Sequence, residues 1–126
     1  MKDFRKLKVW EKSHRLTLEI YKVSAQLPSS ERYGLADQIR RASASIPANI
    51  AEGCGRSTDG DQSRLFQIAM GSASELDYHL LVASDLGYLS AEEHEKLSND
   101  LVEVKKMLSG LLTRLRSSGR TLRADR

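Results

Sequence analysis

The segment Gln38 to Arg56, QIRRASASIPANIAEGCGR, carries two opposed stripes at helical spacing. Leu35, Ile39, Ala42, Ile46, Ile50 and Gly53 recur on one apolar face. Gln38, Arg41, Ser45, Asn49, Glu52 and Arg56 recur on another. A merely solvated face is rich in Lys and Glu. An ordered run of Gln, Arg, Ser, Asn and Glu predicts a helix with a second, polar partner surface.

Punctuation extends this pattern to four helices. The first spans about Leu7 to Gln26, because Pro28 disfavours helix at Leu27. The second runs from about Ser30 to Cys54. Pro47 inside it predicts a kink or short break, and Gly53 and Gly55 act as stop signals. The third begins between Thr58 and Gln62, with Thr58 and Asp61 at capping spacing, and ends at Gly87. The fourth begins at Ser90, where Glu93 completes a capping box, and continues to about Arg116. The basic tail 117–126 lacks apolar periodicity and is expected to be mobile. Short connections between helices of this length predict an all-α, antiparallel up-and-down four-helix bundle over residues 1–116.

The first helix has more apolar surface than one core needs. Leu7, Trp10, His14, Leu18, Tyr21 and Ala25 form one line, and Val9, Leu16, Ile20, Val23 and Leu27 another. The third helix adds Leu65, Ile68 and Leu81 off its main line of Phe66, Ala69, Ala73, Leu76, Leu80 and Ala83. A core face about 100° wide explains such a pattern, and so does a subunit interface. With two helices affected, self-association is the expectation, with Val9, Leu16, Ile20 and Val23 as the contact.

Composition narrows the class further. No stretch approaches the roughly 18 to 20 apolar residues of a membrane span. The start, MKDFRKLKVW, has no apolar run of a secretory signal, and the single Cys54 has no partner for an internal disulfide, so a cytoplasmic location is expected. The formal charge is +3, but it is unevenly spread: +4 over residues 1–22, −5 over 23–110 and +4 over 111–126.

Catalytic and cofactor chemistry finds little support. A di-metal bundle site needs two Glu-x-x-His pairs, and only Glu11 with His14 qualifies. Cys54 falls at a helix C-terminus, whose dipole disfavours a thiolate. Gly53-x-Gly55 follows a helix and lacks the rest of a nucleotide fingerprint. No catalytic, metal or cofactor residue is therefore assigned. Gln38, Arg41, Ser45, Asn49, Glu52 and Glu75 are expected to form a structural polar network between helices or subunits. The alternative is an active site in a polar groove, although no nucleophile and base are suggested by spacing. Asn49 is expected to satisfy the carbonyl that Pro47 leaves without a helical partner.

Leu27-Pro28, QIRRA at 38–42, SIPANIAEG at 45–53, Arg56, Phe66 and GSASEL at 71–76 resemble a known family. Leu7-Lys8-Val9-Trp10 and DLGYLS at 85–90 fit it as well. It comprises the four-helix-bundle proteins encoded in intervening sequences of bacterial 23S ribosomal RNA genes, and the resemblance covers about residues 4 to 116. A more distant similarity reaches the accessory proteins of diversity-generating retroelements. Those are basic homopentameric barrels that bind nucleic acid and a reverse transcriptase. The resemblance thus implies a cyclic homo-oligomer, a pentamer.

The bundle topology brings the start of the first helix, the second loop and the end of the fourth helix to one end. Lys2, Arg5, Lys6, Lys8, Arg56, Arg64, Arg114, Arg116, Arg120, Arg123 and Arg126 collect there, and Glu31, Asp85, Glu92, Glu93 and Glu95 at the other. Lysines before a helix oppose its dipole, so helix chemistry does not explain them. The expectation is a non-catalytic protein that binds RNA or DNA with weak sequence preference. A protein adaptor without nucleic-acid binding is the rival reading.

Overall fold

The computed structural model describes residues 3–124, with side chains as far as Ser117. A single 3-10 turn, Phe4–Lys6, leads into helix α1, Lys8–Ser24. A second such turn, Ser29–Glu31, precedes α2, Leu35–Cys54. Helices α3, Asp59–Asp85, and α4, Ala91–Ala124, complete the fold. No strand occurs among the described residues. Each helix packs on its chain neighbour, and α4 closes back on α1. Thr17–Ser43 and Ser24–Arg40 between α1 and α2, Ser45–Ser72 and Gly53–Phe66 between α2 and α3, and Lys12–Glu103 and Glu19–Lys96 between α1 and α4 each run in opposite directions along the chain. The helices are therefore antiparallel, in up-and-down order.

Local signals set most boundaries. The Thr58 hydroxyl accepts the Asp61 N–H at 3.1 Å. Ser90 and Glu93 cap each other at 2.9 and 3.1 Å. Gly87, at φ +80°, lets the Gly87 and Tyr88 N–H groups reach the carbonyls of Ser84 and Ala83 and close α3. Two boundaries differ from the sequence expectation. The second helix starts at Leu35 and not Ser30, because the chain turns at Gly34, where ψ is −112°. The fourth continues past Arg116 to Ala124.

Phe66, Ile20, Ile46, Ile50, Leu76, Leu80, Val104 and Leu108 have no exposed surface. Alanines at 69, 73 and 83 let α2 and α3 approach closely. Gly53 marks the tightest point: a Cβ there would lie 2.6 Å from Phe66 Cε1. Pro47 does not interrupt α2. Its missing N–H frees the Ser43 carbonyl, and the Thr17 hydroxyl of α1 supplies a donor at 2.9 Å. The carbonyl's partner is thus Thr17 and not Asn49, whose amide instead donates to the Ser45 carbonyl and hydroxyl at 2.8 and 3.0 Å.

The proposed contact line on α1 is also corrected. Leu16 is 2% exposed and Ile20 fully covered by this chain alone, and Val9 is buried beside them. Val23 is half-buried against the same core. The other line divides: Leu7 and Trp10 pack partly buried against the core, while Leu18 and Tyr21 are about half exposed, at 51% and 50%. Thr17 and Ser24, on the flank of the inner line, meet α2 and so fix which line points inward.

Candidate nucleic-acid interface

Antiparallel order brings the start of α1, the end of α2, the start of α3 and the C-terminal part of α4 to one end of the bundle. The Tyr88 hydroxyl donates to Glu31 at 3.2 Å, tying the two loops of the opposite end together. Burial, and then the Glu31 carboxylate, push the Tyr88 hydroxyl above its ordinary pKa.

The basic end is not uniformly basic. Arg5 pairs with Asp3 at 3.4 Å, and Arg56 with Glu52 at 2.8 Å. Asp59 and Asp61 occupy the first turn of α3, a few residues before Arg64. The α2–α3 side is therefore largely balanced. Lys2 lies outside the described residues, as do the side chains of Arg120 and Arg123 and the whole of Arg126.

The α1–α4 seam behaves differently. Toward its acidic end it is zipped by opposite charges. Lys96 reaches Glu19 at 2.7 Å, and Lys12 reaches Glu103 at 2.7 Å and Asp100 at 3.9 Å. The lysine beside it holds the Glu103 carboxyl below its ordinary pKa, chiefly through the hydrogen bond. One turn further the pattern changes. Lys6 and Lys8 of the α1 start meet Lys106 and Arg114 of α4 around a groove of about 520 Å³. No carboxylate lines this groove, and none of its four cations forms an ion pair among the described residues. Buried Val9 and Leu111 form its floor, and the exposed cations its rim.

Lys106 is absent from the cations that the sequence alone places at this end. It lies two turns before Arg114, with Gly110 between them on the same α4 line, so its helical spacing was the available signal. Arg116, two residues beyond Arg114, is exposed on a different face.

The polar stripe of α2 is mostly surface. Gln38, Arg41, Glu52 and Glu75 are exposed. Arg41 pairs with Asp37 at 3.0 Å, and Glu75 meets His79 at 3.1 Å, each one turn along its own helix. Only Ser45 and Asn49 join a link between helices, through the Ser45–Ser72 hydroxyl contact at 2.8 Å. The wider buried network is thus corrected to a small Ser45–Asn49–Ser72 cluster. Arg41, Glu52 and Glu75 have partners four residues away along the chain, and Gln38 is exposed, so none needs burial.

His14 stacks on Trp10 with ring centroids 4.9 Å apart, and its sequence neighbour Glu11 pairs with Arg15. Cys54 is buried, which raises its thiol pKa. No group of three metal-ligating side chains gathers among the described residues, and no helix there is long and apolar enough to cross a membrane.

A family model for the 23S rRNA-intervening sequence protein matches residues 5–110. The chain belongs to that family. The intervening-sequence fold is shared with a crystal structure from Bacteroides thetaiotaomicron VPI-5482, a protein with unknown function from the S23 ribosomal protein family. The two are 28% identical, with a TM-score of 0.78 over 82% of this chain and 97% of the other. A search of curated proteins finds no match. Motifs such as SIPANIAEG therefore sit within a family domain spanning the bundle, including α1 and most of α4.

Proposed function

We propose that this intervening-sequence protein is a non-catalytic homo-oligomer that associates with nucleic acid through the α1–α4 groove at its basic end. The observation that carries this reading is the change of charge along one seam. The seam is paired by carboxylates as far as Lys12 and then presents Lys6, Lys8, Lys106 and Arg114 around a groove that no carboxylate lines, none of the four in an ion pair among the described residues. Clustered like charges repel and weaken the fold, so their grouping favours a polyanionic partner. Phosphates are suited to such a rim. Phe4 packs edge-on against Trp10, and Trp10 stacks on His14, so these rings are engaged within the chain. That favours phosphate-led binding with weak sequence preference over base stacking.

Self-association is supported by the half-exposed Leu18 and Tyr21 on the outer line of α1. The number of subunits, five, follows from the resemblance to pentameric barrels. A ring would repeat the groove around one face. A non-catalytic role is favoured by the surface ion pairs of the polar stripe and by the buried, proton-retaining Cys54. A cytoplasmic setting suits that free thiol.

Fluorescence anisotropy with short RNA and DNA strands, alongside native mass spectrometry, tests the proposal. Binding of either polymer at low salt by a closed oligomer supports it. The same outer line of α1 also favours a protein adaptor. A closed oligomer that binds neither polymer at low salt would replace the nucleic-acid reading with that one.

A further inference from the structure

A second cluster of cations lies at the opposite end of the bundle, where α1 hands over to α2. Ser24, the last residue of α1, is buried. Its hydroxyl donates to the Tyr21 carbonyl at 2.9 Å and accepts from Arg40 Nε at 2.9 Å. That contact fixes the guanidinium of half-buried Arg40. Its Nη nitrogens make no hydrogen bond or ion pair among the described residues. Arg32 lies 5.7 Å from the Tyr33 ring centroid and likewise forms no ion pair there.

Arg32 and Arg40 line one pocket of about 260 Å³ together with Ser24 and Ser29. The other lining residues are apolar, and no carboxylate is among them. The nearby acids are directed elsewhere. Glu31 accepts from the Leu35 N–H and the Tyr88 hydroxyl, and Asp37 pairs with Arg41. A charged side chain withdrawn from water is usually paired with an opposite charge. Arg40 is held in place without one.

We infer that this corner pocket binds an oxyanion of the phosphate class. Guanidinium groups match such an anion with paired N–H donors, and the Ser29 hydroxyl adds a donor to a remaining oxygen, while the Ser24 hydroxyl, whose proton goes to the Tyr21 carbonyl, holds Arg40 in place. The volume is below the range of about 300–1,000 Å³ typical of whole drug-sized ligands. It takes inorganic phosphate, or the phosphate of a monoester whose organic part stays outside. The site lies apart from the α1–α4 groove and does not depend on the nucleic-acid reading.

The test is an NMR titration of the full chain with inorganic phosphate, at ionic strength held constant with chloride. Saturable shifts of the Ser24, Ser29 and Arg32 amides and of Arg40 Nε–H are expected. Because Arg40 also links α1 to α2, the exposed Arg32 carries the mutational arm. R32A should weaken phosphate binding about tenfold, as loss of one charge-assisted contact implies. R41A, whose charge is paired outside the pocket, should leave it unchanged. A parallel titration with O-phosphoserine separates the two sources: tighter binding than phosphate assigns the pocket to a monoester, and equal or weaker binding assigns it to the free ion. Shifts that do not saturate, that chloride reproduces, or that persist undiminished in R32A overturn the inference.

Discussion

Replacing Thr17 with valine tests how the bundle tolerates a proline inside α2. The Ser43 carbonyl would ordinarily accept the N–H of residue 47, which proline lacks. Ser43 is fully buried, so water does not replace that donor. The Thr17 hydroxyl reaches Ser43 O at 2.9 Å and its own Ser13 O at 3.0 Å. Ser13 O already has the ordinary helical N–H of residue 17, so the hydroxyl proton matters most to Ser43. Valine keeps the volume and has a similar helix propensity, which leaves the orphaned carbonyl as the main change. The expected destabilisation is about 1–3 kcal/mol. For a chain of this size that lowers Tm by roughly 4–12 °C. Urea unfolding at fixed protein concentration measures it, since assembly shifts apparent stability. The decisive form is a double-mutant cycle with Pro47→Ala, which restores an N–H for Ser43 O. T17V should cost much less in that background, with a coupling of about 1–2 kcal/mol. Equal losses in both backgrounds, or none in either, refute the assignment.

Gly53→Ala should destabilise by about 1–3 kcal/mol through overpacking against Phe66, with partial rescue by Phe66→Leu; urea midpoints unchanged by G53A contradict the close approach. Glu93 has its pKa lowered first by the backbone hydrogen bond from Ser90. Its contribution is therefore complete above the ordinary value of 4.5 and is lost as pH falls through the lower folded value. E93Q should be less stable than the parent at neutral pH, and the gap should narrow on acidification; a pH-independent gap counts against the capping role. Charging the outer line with Leu18→Glu and Tyr21→Glu should yield smaller species by native mass spectrometry with the fold intact. Leu16→Glu should instead unfold the chain, because that residue is 2% exposed.

Features carried by neighbours in sequence were legible before the structure. The Thr58 and Ser90 caps and the Gly87 stop depend on residues within one turn, and all three lie where the spacing predicts. Features carried by packing were not. Both lines on α1 carry large apolar side chains, and the approach of α2 beside Thr17 and Ser24 turns the aliphatic one inward. The donor for Ser43 O comes from 26 residues away, beyond the reach of periodicity within α2. Lys106 escaped notice for a related reason. Counting charges near loops misses a residue that a long helix carries back along a neighbouring face.

Salt dependence tests the central claim most directly. Log affinity for a short RNA and for its DNA counterpart is measured against log salt, for the native oligomer and for the K8Q/K106Q/R114Q variant. Native binding should fall steeply with salt, and the variant should bind more weakly with a slope reduced by about 2–3 units for duplexes, near 0.9 per lost phosphate contact. R5Q/R56Q, whose charges are already paired, should change the slope far less. A groove variant that retains the native slope, while R5Q/R56Q flattens it, would contradict the account.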